Sequence, residues 1–228
     1  MIEDKLRKIY TFIPDHVAVL AVSKGQSLDS IREAYGVGQR DFGENYIQEL
    51  KKKYECLPKD IQWHMIGKLQ SNKIKYIVPF IHLIHSIEDY RQLEIINKYA
   101  IKYDREIHCL LQIKISPQPN KSGMIASMAE KFLNDLKNKP LKHIRIKGLM
   151  GISSFEIDDK NIQKKEFDQL ASLFNNLKKN YKDFTILSMG MSSDYNLAIE
   201  KGATLIRLGS SIFGDRKNKE LSNLSFFI

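Results

Sequence analysis

Six apolar residues in a row, Val17 to Val22, run into Ser23, Lys24 and Gly25. An ammonium at the end of such a run has an ordinary reading, in which its stem follows the core and its head reaches water. It also has a chemical one: an amine whose pKa is lowered by burial or a neighbouring cation attacks carbonyls. Two segments far along the chain supply complementary chemistry, "SMGMSSDYNLA" (188–198) and "IRLGSSIFG" (206–214). In each, an apolar run ending near Ser188 or Arg207 leads into glycine and hydroxyl residues. Gly190 and Gly209 let the backbone approach a ligand closely, while Ser192, Ser193, Ser210 and Ser211 offer hydroxyls and backbone N–H groups suited to an anion. Either segment alone reads as a helix cap. A pair on neighbouring strands reads as a phosphate cradle.

These residues must be positioned by something, and the chain has a clear rhythm. Short runs rich in Val, Ile, Leu and Phe predict strands at 16–24, Asp41–Asn45, Ile61–Gly67, His82–Ile87, Ile107–Ile115, Ile144–Ile152, Phe184–Gly190 and Thr204–Leu208. Helical spacing follows at 27–36, through Lys53, and at 70–78, 88–103, 124–138, 160–180 and 193–201. Eight such units predict an α/β fold, a single (β/α)8 TIM barrel over residues 1–228, with an open doubly wound sheet as the alternative. Pro117 and Pro119 mark a loop, because the rhythm resumes after them.

Barrel chemistry sits at the C-terminal ends of the strands. Lys24, Asn45, His64, Gly67, Ser86, Ser188 and Arg207 fall at or near such ends. Closure places the last strand beside the first, so Lys24 would face a phosphorylated ligand held by the two glycine and serine segments. A ligand with both an aldehyde and a phosphate satisfies both features, and pyridoxal 5'-phosphate answers that description. Arg207 would then meet the pyridine nitrogen or a ligand oxygen. At the nitrogen it would disfavour ring protonation and weaken the cofactor as an electron sink.

Composition narrows the class. Lys and Arg number 36 against 27 Asp and Glu, a formal charge of +9, but the excess is scattered over runs such as Lys51–Lys53 and reads as solvated helix surface. A nucleic-acid module would need a clustered basic face with stacking aromatics, so nucleic acid is not expected as a partner. Cys56 and Cys109 are far apart and match no metal or disulfide spacing, and His82, His85, His108 and His143 lie in or beside apolar runs that suit packing or surface roles. No leader pattern opens the chain and no apolar run suits a membrane span, so a soluble, cytoplasmic monomer is expected.

The strings "AVSK", "GQRDFGENYIQE", "WHMIGKLQSNK", "KSGM", "GLMGI", "LSMGMSSD" and "IRLGSSIFGDR", in this order between about residues 17 and 216, resemble the pyridoxal-phosphate homeostasis protein family. These small proteins are related to the N-terminal barrel domain of alanine racemase. The resemblance implies the cofactor held as an internal aldimine on Lys24 and its phosphate gripped by serine and glycine residues of the last two loops. It further implies a part in cofactor supply, possible transfer to apo enzymes that use the cofactor, and no established turnover. Asn45, His64, Met150, Ser188, Gly190, Ser192, Ser193, Arg207, Gly209, Ser210 and Ser211 are the expected cofactor contacts beside Lys24. An amino-acid racemase or another Schiff-base enzyme using the same lysine is the alternative. A racemase needs an acid/base on each face of its ligand, and the second domain that supplies a tyrosine in related racemases has no room after the last strand; Tyr46 and Tyr195 read as packing or exposed residues. The chain departs from the family pattern at Lys68 and Gly151, and the helix ahead of the first strand looks shortened.

Overall fold

The computed structural model describes residues 1–118, 121–154 and 160–214. Helix α1 (Ile2–Phe12) leads into β1 (Ala18–Val22), α2 (Leu28–Gly36), β2 (Asp41–Glu44), α3 (Ile47–Cys56), β3 (Gln62–Met65) and β4 (Leu83–Ile87). Then come α4 (Tyr90–Lys102), β5 (Ile107–Lys114), β6 (Met124–Ile125), α5 (Ala129–Asn138) and β7 (Ile144–Gly151). The order closes with α6 (Lys160–Lys178), β8 (Ile186–Met191), α7 (Tyr195–Glu200), β9 (Leu205–Leu208) and α8 (Ser210–Phe213).

Every strand pairing is parallel. The ring runs β1–β2–β3–β4–β5–β7–β8–β9 and closes where Leu20 of β1 pairs with Arg207 of β9. This is the expected eight-stranded barrel with helices between its strands. The two-residue β6 hangs on the end of β5 outside the ring.

Strand alternation divides the interior into two cores. Val19 and Ala21 of β1 join Phe42, Trp63, Met65 and the helix residues Leu50, Leu93 and Phe167 in the layer between sheet and helices. The opposite parity points into the barrel, where Leu83, Leu110 and Met150 form a small cluster of their own. Trp63 and Phe42 are fully buried with ring centroids 5.9 Å apart, so truncating Trp63 to alanine would cost about 3–5 kcal/mol.

Two local expectations change. The segment predicted as a helix over 70–78 is a 3-10 turn, Ser71–Tyr76. Arg105 reaches back to the carbonyls of Val78 (2.6 Å) and Ile81 (2.9 Å), tying the following chain down where a longer helix would carry it away. The helix predicted over 124–138 begins only at Ala129, because Met124 and Ile125 pair with β5 and Ala126–Met128 form a 3-10 turn. Ahead of β1, α1 has eleven residues, buries Leu6, and packs on α2 and α8, so the lead-in helix is present.

Candidate functional site

Lys24 continues the inward parity of Leu20 and Val22, one step beyond the end of β1, and lines a cavity of about 470 Å³ at the C-terminal mouth of the barrel. Its neighbours are clamped from outside the ring. Ser23 donates its hydroxyl to Glu44 Oε1 (2.5 Å), and Lys53 Nζ donates to Ser23 O (2.7 Å), Glu44 Oε1 (2.8 Å) and Glu49 Oε1 (2.7 Å). Gly25, with φ +71°, donates its N–H to Glu49 Oε1 at 2.6 Å. The residues on both sides of the amine are therefore fixed by one buried charged network. Burial pushes the Glu44 carboxyl up to about 7, against the pull of Lys53.

Asn45, Met150, Ser192 and Ser193 share the cavity with Lys24, as do Arg207, Gly209 and Ser210. Ser211 lines an adjoining pocket with Lys5, Ser192, Ser193, Ser210 and Gly214. The two serine segments meet at one atom: the N–H groups of Gly209 (3.2 Å) and Ser211 (3.3 Å) both donate to Ser192 Oγ. Ser192 thus joins the two loops and does not cap α7, and two backbone donors converge on a single oxygen as they would on an anion. Asp194 holds the same loop by accepting from Met191 N–H and the Ser153 hydroxyl (both 2.5 Å). A Cβ at Gly209 would find Val22 at 3.7 Å as its nearest neighbour, so packing does not demand glycine there, whereas a close ligand would.

Arg207 is 4% exposed, and burial draws its guanidinium down to about 10. It donates through Nη2 to Gly151 O (2.9 Å) and through Nη1 to Ser188 Oγ (2.8 Å). From Ser188 a chain of contacts descends inside the barrel: His85 Nδ1 at 3.2 Å, then His85 Nε2 to His64 Nδ1 at 2.9 Å, then His64 Nε2 to Asp41 Oδ1 at 3.0 Å. Its ends fix its direction. Guanidinium only donates and an ionised carboxylate only accepts, so neutral imidazoles satisfy every link when protons point from Arg207 toward Asp41. Burial, with His64 and Arg207 nearby, holds His85 well below the ordinary imidazole value and keeps it neutral.

Three expected contacts therefore lie elsewhere. His64 and Ser188 are not among the cavity-lining residues; they form the layer beneath it, because Ile66, just past the end of β3 and of the same parity as His64, reaches the cavity and Ser188 sits under Arg207. Gly190, with φ +93°, brings β8 against α7: a Cβ would sit 2.6 Å from Ala198 Cβ. The cavity also uses Gln26, Ile66, Met191 and Gly214, none of which the sequence pattern marked as contacts. Parity with His64 could have found Ile66; nothing local marks Gln26. Tyr46 is 66% exposed and Tyr195 packs partly buried on the core.

Comparison with known proteins decides the family. The family model of the alanine racemase N-terminal domain matches residues 1–217. Proteins named pyridoxal phosphate homeostasis protein from Synechocystis and Schizosaccharomyces pombe are 39% and 37% identical, over 92% of this chain and 96% and 88% of theirs. The chain belongs to the pyridoxal phosphate homeostasis protein family. The solved structure of PipY from Synechococcus elongatus with PLP bound matches this family member with a TM-score of 0.84 and 34% identity, covering 94% of this chain and 100% of that one. In this homeostasis-family barrel, Lys24, Arg207 and the loops joined by Ser192 face the same cavity. Among the described residues, no helix is long and apolar enough to cross a membrane.

Proposed function

We propose that this chain binds pyridoxal phosphate in the upper cavity, attached covalently through Lys24, and serves pyridoxal phosphate homeostasis in the cytoplasm. The observation that carries the reading is that a primary amine, a buried guanidinium and two backbone donors converging on one oxygen line or border one cavity. The names of its relatives and the PLP-bound PipY support it. When bound, the cofactor supplies an aldehyde reactive toward amines, an aromatic ring and a dianionic phosphate.

The residues fit each part of such a group. Lys24 presents the amine, held in place through Ser23 and Gly25. Gly209, Ser192, Ser193 and Ser210 accommodate the phosphate. Arg207, locked by Gly151 O and Ser188, would offer a donor-only edge to the ring nitrogen or a ligand oxygen, and at the nitrogen would oppose proton gain. Met150 and Ile66 supply apolar walls. Among the described residues, Lys24 and Arg207 are the ionisable side chains lining the cavity. Racemisation would need a second acid/base opposite the lysine, and the relatives' name, pyridoxal phosphate homeostasis protein, supports holding the cofactor over turnover. The chain acts as one barrel unit, a monomer that gives up its cofactor to apo enzymes.

The test is covalent mapping. Pyridoxal phosphate added to the pure protein should produce a visible absorption band that borohydride abolishes, with the reduced label on the Lys24 peptide by mass spectrometry. Lys24→Ala should lose the band and the label. A label on another lysine overturns the assignment.

A further inference from the structure

The opposite mouth of the barrel carries a second cluster. Asp41 opens β2, His82 directly precedes β4, and His64 of β3 lies between them. Each offers one ligand atom, and these atoms all lie within 4.8 Å of one another. Asp41 Oδ1 and His64 Nε2 are 3.0 Å apart, and the His64 and His82 rings are 5.3 Å apart at their centroids. We propose that Asp41, His64 and His82 form a binding site for a borderline divalent cation of the zinc class, separate from the ligand cavity.

The donor chemistry selects the ion. Two imidazole nitrogens with one carboxylate oxygen suit Zn(II) or Co(II), whereas Mg(II) and Ca(II) prefer all-oxygen shells. A tetrahedral ion of this class holds its donors about 3.4 Å apart. The Asp41–His64 pair would open by a few tenths of an ångström and the wider separations would close.

The surroundings are those of a supported site. His64 is 2% exposed, and its second nitrogen is held by His85 Nε2 at 2.9 Å, an outer partner of the kind that orients metal-bound imidazoles. With the ion on Nε2, His64 carries its proton on Nδ1 and donates to His85 Nε2, and His85 carries its own proton on Nδ1, where Ser188 Oγ accepts it, so both rings stay neutral. The backbones are anchored too: His82 N–H donates to Trp63 O at 2.9 Å, and Gln39 Nε2 donates to the carbonyls of Asp41 (2.6 Å) and Val19 (2.9 Å). The Asp41 side chain is 34% exposed and His82 is exposed, leaving an approach from solvent and a fourth position for water. Barrel rims of this side ordinarily serve stability, so the cation would act there as a clasp across β2, β3 and β4.

The experiment is a Co(II) titration of the full chain carrying Cys56→Ser, which removes the exposed thiol as a competing ligand. Visible absorption and equilibrium dialysis give the stoichiometry, and Zn(II) competition gives the affinity. One equivalent of Co(II) should bind, Zn(II) should displace it, and Mg(II) should not. His82→Ala, a change at an exposed position, should leave the circular dichroism spectrum intact, weaken Co(II) binding about tenfold or more, and abolish the rise in Tm that Zn(II) gives the parent. Asp41→Asn should weaken binding in the same direction. No saturable Co(II) binding, or equal affinity in the parent and both variants, overturns the proposal. The outcome is independent of the Lys24 reading, because the titration needs no pyridoxal phosphate.

Discussion

Ser188 has one oxygen and two partners, Arg207 on the cavity side and His85 below. Its hydroxyl accepts from the guanidinium and donates to the imidazole, so it is the joint between the cavity wall and the polar chain inside the barrel. Ser188→Ala should leave a buried donor, Arg207 Nη1, and a buried acceptor, His85 Nδ1, without this partner, a loss of about 1–3 kcal/mol. Pyridoxal phosphate affinity, read by absorbance titration, should fall about tenfold, the equivalent of one lost hydrogen bond to a charged group. Unchanged affinity would mean that Gly151 O alone orients the arginine. Ser192 is a comparable joint between the two loops, and its identity as a cap or as a connector depended on where β9 came to lie.

At the scale of elements, Gly190 decides how closely α7 lies on β8. Its φ is +93°, and a Cβ added there would lie 2.6 Å from Ala198 Cβ and 3.1 Å from Tyr195 Cα, which leaves no space for a side chain. Gly190→Ala should lower stability by about 1–3 kcal/mol, read as a fall in Tm. The shift of the 188–193 loop should also weaken cofactor binding. Gly148 plays a similar part between β7 and β8, where a Cβ would lie 1.8 Å from Ile186 O. Both glycines serve element packing, whereas Gly209 faces the cavity, and the three look alike in sequence.

The whole molecule should carry the signature of Glu44. Its carboxyl value rises from 4.5 to about 7, first through burial, opposed by Lys53 and reinforced by Glu49. The folded state binds this proton more tightly than the unfolded chain, so the contribution is fully present below about 4.5 and lost as pH climbs through about 7. Tm should therefore fall between pH 5 and pH 8, and Glu44→Gln should flatten that slope; an equally steep slope in the variant would assign it to other groups. Ligand binding should act in the opposite direction. At a hundred times its Kd, pyridoxal phosphate should stabilise the folded state by about 2.7 kcal/mol, a Tm rise that Lys24→Ala should largely lose.

Much of this protein was legible in the chain because barrel strands are short apolar runs at regular spacing, and because polar residues at their C-terminal ends stand out against them. Lys24, Arg207 and the paired serine and glycine segments announced themselves in that way. The elements at 70–78 and 124–128 did not, since tertiary ties from Arg105 and the β5 edge overrode helical spacing. Nor did the sorting of one polar set into two layers: His64 and Ser188 look like rim residues in sequence, yet lie under the cavity, and His85 looks like packing. Amino-acid order sets which face of a strand a residue occupies, through the two-residue period. Depth along the barrel axis and the partner across it follow from strand tilt, stagger and closure, so only the folded ring could join Asp41, His64, His85, Ser188 and Arg207 into one line.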